Sequence, residues 1–454
     1  MKVAIIGNGI AGITAARWLR KLDDNVEITV ISDEGEFFFS RTALMYVYMG
    51  HMRQQDIQPY EPWFWDKNRI QLLRGRVQSI DFEKKSMQIT TAETAKPFSY
   101  DKLIIATGSK SNKFGWKGQD LDGVHGLYHY QDLEAMVRHT NNGLNRAVIV
   151  GGGLIGIEMA EMFHSQHIPV TFLVRENSFW NNILPPEESA MINRHIGKHG
   201  IDLRLGSELG EILDENGDGK ADAVILKGGE KISCGFVGLT VGVSPNIDFI
   251  KNTDLKVNRG VVVNEFLETN MPNVYAIGDC AEIEKPQEGR RPIEAIWYTG
   301  RMMGETVAYT ILNKKVKYNP GIWFNSAKFL DIEYQVYGDI QAQLPDNQST
   351  LYWEHADGKK AIRINFDKNT EGVVGFNLMG IRYRHEVCEK WIKDKTPIET
   401  VLQNLGLANF DPEFFTEYET DIVQVYNKTF NKNLQLKTKR GLNAAIKFLK
   451  QLTH

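Results

Sequence analysis

The sequence predicts an α/β chain in which two strand–glycine turn–helix units are followed by a smaller α+β domain. Three observations predict it. Residues 1–16 read M-K-V-A-I-I-G-N-G-I-A-G-I-T-A-A, an apolar run, then Gly7, Gly9 and Gly12 at G-x-G-x-x-G spacing, then a helical pattern. Residues 146–160 repeat the arrangement with Gly151, Gly153 and Gly156. Beyond residue 324 the chain turns to short strand-like stretches, at 350–353, 361–366 and 372–378. The alternation in A-I-R-I-N-F at 361–366 predicts one buried face.

At 454 residues, with 42% hydrophobic, the chain is long enough for two or three cores. A net charge of −4 carries no nucleic-acid footprint. The three cysteines, Cys234, Cys280 and Cys388, form no C-x-x-C. Neither a cysteine zinc site nor a local redox pair is therefore expected, no metal site is predicted, and a reduced, cytoplasmic setting fits. Lys2 before an apolar run has the look of an export signal, but the glycine motif accounts for the run. No uninterrupted apolar stretch reaches the roughly 18 residues of a membrane span.

In the first unit the glycine spacing has a physical reason. Gly7 permits a tight turn, Gly9 lets the backbone touch a pyrophosphate, and Gly12 lets the helix pack close to the strand. Ile10 and Ala11 lie in the same first turn, whose free N–H groups and dipole favour phosphate. Residues 26–31 read as the second strand, where a Rossmann-like unit carries an acid for the adenosine ribose. Ser32 occupies that end; Asp33 is the first candidate and Glu34 the second, against two solvated turn carboxylates. Two further apolar strands end in small residues: Y-D-K-L-I-I-A-T-G at 100–108 and N-V-Y-A-I-G-D-C-A at 273–281.

The second unit repeats this logic, so two dinucleotides are expected. Its second strand, residues 170–174, ends in Arg175 and Glu176. An acid there bonds the ribose hydroxyl of NADH, and an Arg accepts the phosphate of NADPH. A single Arg is a thin phosphate site, which favours NADH through Glu176. A helix at 186–200 and strands at 201–206, 224–226 and 236–241 complete the unit. The polar stretch 211–220 lacks the ligand spacing of a calcium loop and reads as a hairpin loop.

Taken with A-T-G at 106–108, G-G-G-L-I-G-I-E at 151–158, T-V-G-V-S-P-N at 240–246 and the pair Gly278 and Asp279, the sequence resembles the FAD-dependent pyridine nucleotide-disulfide oxidoreductases. The matching branch is the rubredoxin, ferredoxin and nitrite reductase-like one, without a redox-active disulfide. The motifs run in family order over about residues 1–312. The resemblance implies a glutathione reductase-like arrangement of two Rossmann-like domains plus an α+β C-terminal interface domain. Residues 1–112 and 242–313 would bind FAD, 113–241 NAD(P)H, and 314–454 would form the interface domain with a basic helical tail.

The same resemblance implies roles. FAD falls to the first cradle, with Arg41 at the pyrophosphate or ribityl region and Thr42, Val77, Ala106, Thr107 and Gly108 along it. Gly278 and Asp279 would meet the ribityl hydroxyls, and Trp297 the flavin, Trp297 and Gly304 fitting a W-x6-G pattern. NADH, or NADPH, falls to the second cradle, with Gly152, Ile155 and Gly242 beside the glycines and Glu158 near the nicotinamide. Catalysis is flavin-mediated, and no protein acid or base is assigned. Thr42 stands where the oxidase branch has its redox Cys, and Tyr46 where a Lys near the flavin is found, so a disulfide reductase is not expected. Cys280 reads as a small buried residue rather than a redox thiol.

The implied function is hydride transfer from NADH to FAD, then electron transfer to a small carrier of rubredoxin or ferredoxin type. An NADH oxidase or quinone reductase is the alternative, and a redox-responsive binding protein a third reading. Residues 428–454 are basic, and Leu442, Ala445, Ile446, Leu449 and Leu452 share a helical face. That face packs on its own protein, docks an acidic carrier, or lies on an anionic membrane. The interface domain leaves a homodimer open.

Overall fold

The computed structural model describes residues 1–92, 94–410 and 416–436. In it the opening run Lys2–Ile6 is the middle strand of a five-stranded parallel sheet. The order is Val274–Ala276, Lys102–Ile105, Lys2–Ile6, Glu27–Ser32, Ile70–Arg74. Val3, Ala4 and Ile5 are fully buried, as a strand covered on both faces requires.

The helix Ile10–Leu22 returns over this sheet at very short range. Gly7 has φ +114°, and a Cβ there would stand 2.1 Å from the Ala106 carbonyl oxygen. A Cβ on Gly12 would stand 2.1 Å from the oxygen of Gly7. From the other side comes the helix Trp297–Ile311, where a Cβ on Gly304 would lie 2.5 Å from the oxygen of Ala11. Strand, turn and both helices thus meet backbone to backbone.

The second parallel sheet has the order Asp202–Leu205, Val170–Val174, Ala147–Val150, Phe236–Leu239, Val124–His125. The helix Leu154–Ser165 follows its central strand. Strands Leu209–Leu213 and Ala223–Leu226 pair as a hairpin. Its loop folds around the Asp214 carboxylate, which accepts the N–H groups of Gly217 (2.7 Å), Asp218 (3.1 Å) and Gly219 (2.9 Å).

Two compact units result: Met1–Asn177 with Gly200–Gly321, and Ser178–His199 with Ile322–His454. The helix Pro186–Lys198, which the sequence groups with the second nucleotide unit, goes with the C-terminal residues. The second unit is a five-stranded antiparallel sheet in the order Phe324–Phe329, Ile332–Gly338, Val373–Met379, Ala361–Asp367, Gln348–Glu354. The helices His385–Lys393, Ile398–Gln403 and Glu419–Phe430 contribute to its core. The expected basic helical face at 442–452 lies outside the described residues. Of its forerunners, Lys432 is paired with Glu399 at 3.2 Å.

Strand Ala361–Asp367 corrects the expectation of a single buried face. All of residues 361–366 are buried, Arg363 and Asn365 included. The helix Pro186–Lys198 makes this tolerable by supplying carboxylates. Arg363 donates from Nε to Glu188 Oε1 (2.7 Å) and from Nη2 to Glu188 Oε2 (2.8 Å) and Glu187 Oε2 (2.6 Å). Asn377 Nδ2 donates to the same Glu188 Oε1 at 3.1 Å. A partner 175 residues away leaves no trace in local alternation.

Breaking a buried ion pair by removing one member costs about 3–5 kcal/mol, because the other charge stays buried and alone. Arg363→Ala is therefore expected to destabilise the second unit by about that much in urea unfolding, and replacing Arg363 by Met together with Glu188 by Leu to cost less. A loss below about 1 kcal/mol for Arg363→Ala would contradict this account of the pair.

Candidate functional site

The first cradle is a bare helix end. Gly9 enters the helix Ile10–Leu22 in extended backbone, φ −73° and ψ −177°, and no side chain caps its N–H groups. A Cβ built on Gly9 meets nothing within 4 Å, so the turn opens onto free space where the N–H groups of Ile10 and Ala11 begin. Such an end attracts phosphate through unpaired donors and the helix dipole.

The strand ends around it are tied together. Thr107 Oγ1 donates to the Asn246 oxygen (2.7 Å), and Asn246 N to the Gly108 oxygen (2.9 Å). Gly278, at φ +70°, lies against Ala11: a Cβ would come within 2.9 Å of the Ala11 Cβ. Asp279 follows it, and its Oδ2 accepts from Ser109 Oγ (3.1 Å) and Tyr128 Oη (3.0 Å). Burial pushes the Asp279 carboxyl up, against the pull of those two hydrogen bonds. Ser109 and Tyr128 escape the sequence reading. Tyr128 lies between the two glycine motifs, and the only signal is its place just before the helix Tyr130–Asn141.

Arg41 is tied into the protein within the charge field of Asp279. Its Nη1 and Nη2 donate to the two carboxylate oxygens of Glu34, both at 2.7 Å, and Nη1 also reaches the Tyr128 carbonyl. The guanidinium sits 4.5 Å from the centre of the Tyr128 ring. Burial works against the Glu34 carboxylate, but the bonds from Arg41 and His129 overcome it and hold the carboxyl well below its usual range. Tyr130 N adds a bond to Glu34 at 2.9 Å. Arg41 is thus engaged by protein groups. Of the two ribose candidates, Glu34 is committed, whereas Asp33 is exposed, with Arg76 Nε 3.8 Å away. Ser32 Oγ accepts the Glu34 N–H at 3.3 Å. Thr42 is exposed, 3.3 Å from Ser40 Oγ; Val77 is buried on strand Arg76–Asp81; Trp297 opens its helix half-buried.

The second cradle repeats the first. Gly151 has φ +115°, and a Cβ there would stand 2.6 Å from the Thr240 oxygen. A Cβ on Gly156 would stand 2.2 Å from the oxygen of Gly151, and one on Gly152 2.7 Å from Val174 Cγ1. Gly153, extended and without a side-chain cap, again meets nothing within 4 Å. Gly242, at φ +91°, accepts the Asn112 N–H at 3.0 Å. Ile155 and Glu158 follow on the helix Leu154–Ser165. Arg175 and Glu176 pair with each other at 2.8 Å in the open. Both cradles fit the phosphates of a dinucleotide: each pairs close-packed glycines with one glycine facing empty space.

Residues 1–304 match the family model described as pyridine nucleotide-disulphide oxidoreductase. The chain belongs to that family. It is an FAD-dependent NAD(P)H oxidoreductase, as the motifs imply. Among its relatives is a protein named NADH oxidase from Methanocaldococcus jannaschii, 28% identical over 339 residues, 73% of this chain and 75% of the relative. A rubredoxin-NAD(+) reductase from Ectopseudomonas oleovorans is 28% identical over 288 residues, 63% of this chain and 73% of the relative. In fold, the chain is similar to a ferredoxin reductase for the CYP199A2 system from Rhodopseudomonas palustris. The TM-score is 0.75 at 22% identity, covering 84% of this chain and 91% of that one.

Within this reductase, sulfur is kept out of reach. All three cysteines are buried and unpaired. Cys280 Sγ donates to the oxygens of Ile277 (3.3 Å) and Ile105 (3.4 Å), and burial pushes its thiol up. Burial likewise pushes the Cys234 thiol up to about 12.

Glu158 carries a further perturbed carboxyl. Burial, with the charge of Glu161 added, pushes it up to about 7. Between the ordinary value of 4.5 and about 7 the folded chain binds more protons here than the unfolded chain, so stability falls as pH rises through that window. Glu158→Gln removes this slope. It is expected to raise the melting temperature, relative to the unsubstituted protein, more at about pH 8 than at about pH 5, measured without nicotinamide nucleotide. Equal shifts at both pH values would contradict it.

Proposed function

We propose that this oxidoreductase passes electrons from NADH through FAD to a small one-electron carrier protein of rubredoxin or ferredoxin type. The observation that carries the reading is the burial of every cysteine, with Thr42 at the position where the resemblance puts the redox Cys of the oxidase branch. A thiol relay needs an accessible thiolate, and burial here favours the neutral thiol. Electrons then leave by another route, and a carrier docked near the flavin provides one. Relatives named for rubredoxin and ferredoxin reduction support the same choice.

The first turn at Gly9, Ile10 and Ala11 holds the FAD pyrophosphate, and Asp33 its adenosine ribose. Asp279, oriented by Tyr128 and Ser109, meets the ribityl hydroxyls. Arg41, paired with Glu34, is assigned to the pyrophosphate or ribityl region. Trp297 covers the flavin. The second turn at Gly153 holds the nicotinamide dinucleotide, Glu158 positions its ring, and Glu176 reads its ribose. When bound, FAD would supply the redox chemistry for hydride transfer from the nicotinamide. The protein contributes the alignment of the two rings. Pairing through the C-terminal sheet is the proposed mode of dimerisation. No helix among the described residues is long and apolar enough to cross a membrane. Unpaired cysteines suit a reducing compartment such as the cytoplasm.

The relative named NADH oxidase favours a second reading, in which oxygen or a quinone is the acceptor. Anaerobic reduction by NADH followed by mixing with oxidised rubredoxin, ferredoxin or air separates the two. Carrier reduction is expected to outpace oxygen consumption and to slow as salt rises. Rapid oxygen consumption unaffected by carrier would establish the oxidase. NADH is expected to give the higher kcat/KM, and an advantage of about tenfold for NADPH would reverse the assignment.

A further inference from the structure

The second unit holds a cluster of ligating side chains that no part of the electron-transfer chemistry uses. His195 and His199 stand one turn apart on the last turns of the helix Pro186–Lys198 and just beyond it. Their rings are 4.5 Å apart, centre to centre. Facing them is Asp331, in the two-residue turn between strands Phe324–Phe329 and Ile332–Gly338, whose pairing of Phe329 with Ile332 fixes the turn tightly. We propose that His195, His199 and Asp331 form a site for a divalent transition-metal ion of the Zn²⁺ class, tying the helix end to the hairpin.

Four geometric observations support it. One ligand atom from each residue lies within 4.8 Å of the other two. His199 Nε2 is 3.6 Å from Asp331 Oδ1, and His195 Nε2 is in hydrogen-bond contact with that same oxygen. Tetrahedral ligands about 2.0–2.1 Å from zinc stand about 3.3 Å from each other, so closing the set requires His195 and Asp331 to move apart, the metal replacing the proton they share, and His199 to draw in slightly.

The third observation concerns the tautomer. His199 Nδ1 lies 3.0 Å from the carbonyl oxygen of His195, which places its proton on Nδ1 and turns the Nε2 lone pair toward Asp331. A backbone carbonyl holding the distal N–H is the usual support behind a metal-bound imidazole. Fourth, Lys359 Nζ bonds Asp331 Oδ2 at 2.7 Å and leaves Oδ1 to face the imidazoles. The carboxylate is therefore held in the orientation a single-oxygen ligand needs. Two imidazoles and one carboxylate suit Zn²⁺, Co²⁺ or Ni²⁺ and leave a fourth position for water.

A second cluster, Asp122, His125 and His139, serves as an internal control. There Arg138 already occupies Asp122 Oδ1 at 3.0 Å, the oxygen that His139 Nε2 also contacts, at 3.2 Å. The test uses untagged, FAD-loaded, full-length protein stripped with chelator and titrated with Zn²⁺ by calorimetry, and with Co²⁺ by visible absorption. One equivalent is expected to bind at micromolar affinity or tighter, with the intense Co²⁺ bands of low coordination number. His199→Gln and Asp331→Asn, both at partly exposed positions, are each expected to weaken binding by about tenfold or more, while His139→Gln leaves it unchanged. Binding weaker than micromolar, or binding that survives both substitutions, would overturn the proposal.

Discussion

The contact on which the nucleotide-binding unit depends is backbone against backbone. The carbonyl of Ala106 lies where a side chain on Gly7 would be, and the carbonyl of Gly7 lies where one on Gly12 would be. The helix Ile10–Leu22 can therefore start immediately after the strand Lys2–Ile6 and lie directly on the sheet. Gly304 extends the same approach to the helix Trp297–Ile311. With no side chains between these elements, the helix N-terminus is fixed in position and its N–H groups remain uncapped. The second unit of the pattern repeats it through Gly151, Gly156 and Thr240.

Fixing bare donors has an electrostatic consequence. Two helix ends without caps are favourable sites for anions, and the rest of the first site is arranged so that no protein carboxylate fills that role. Glu34 is held by Arg41, and Asp279 by Tyr128 and Ser109. Tyr128 joins the two pairs, because its carbonyl accepts from Arg41 and its hydroxyl donates to Asp279. Acids at the rim are thus oriented before any ligand arrives, which reduces the ordering cost of binding.

Legibility from sequence divides along the same line. The glycine turns were readable because their spacing is dictated by local backbone sterics, and so were the strand ends at Ala106 and Gly278. What sequence could not supply was the pairing of side chains distant in the chain. Nothing near Arg41 in the sequence announces its bonds to Glu34 and the Tyr128 carbonyl. Tyr128 and Ser109 carry no motif at all. Arg363 looked like the polar face of a strand, although Glu188 buries it. In sequence Arg175 and Glu176 are two alternative readers of the ribose; in the folded chain they pair with each other.

Not all glycines in the two turns have the same task, and that difference gives the most direct test. Gly7, Gly12, Gly151 and Gly156 are required by packing, whereas a side chain on Gly9 or Gly153 would project into open space and leave the fold intact. Calorimetric titration of the apoprotein with FAD, then of the FAD-loaded protein with NADH, measures each cradle in turn. The account expects one site for each, Gly9→Val losing FAD, and Gly153→Val keeping FAD while losing NADH, both variants remaining folded. A protein that takes up no FAD, or a Gly153→Val variant that still binds NADH with unchanged affinity, would contradict it.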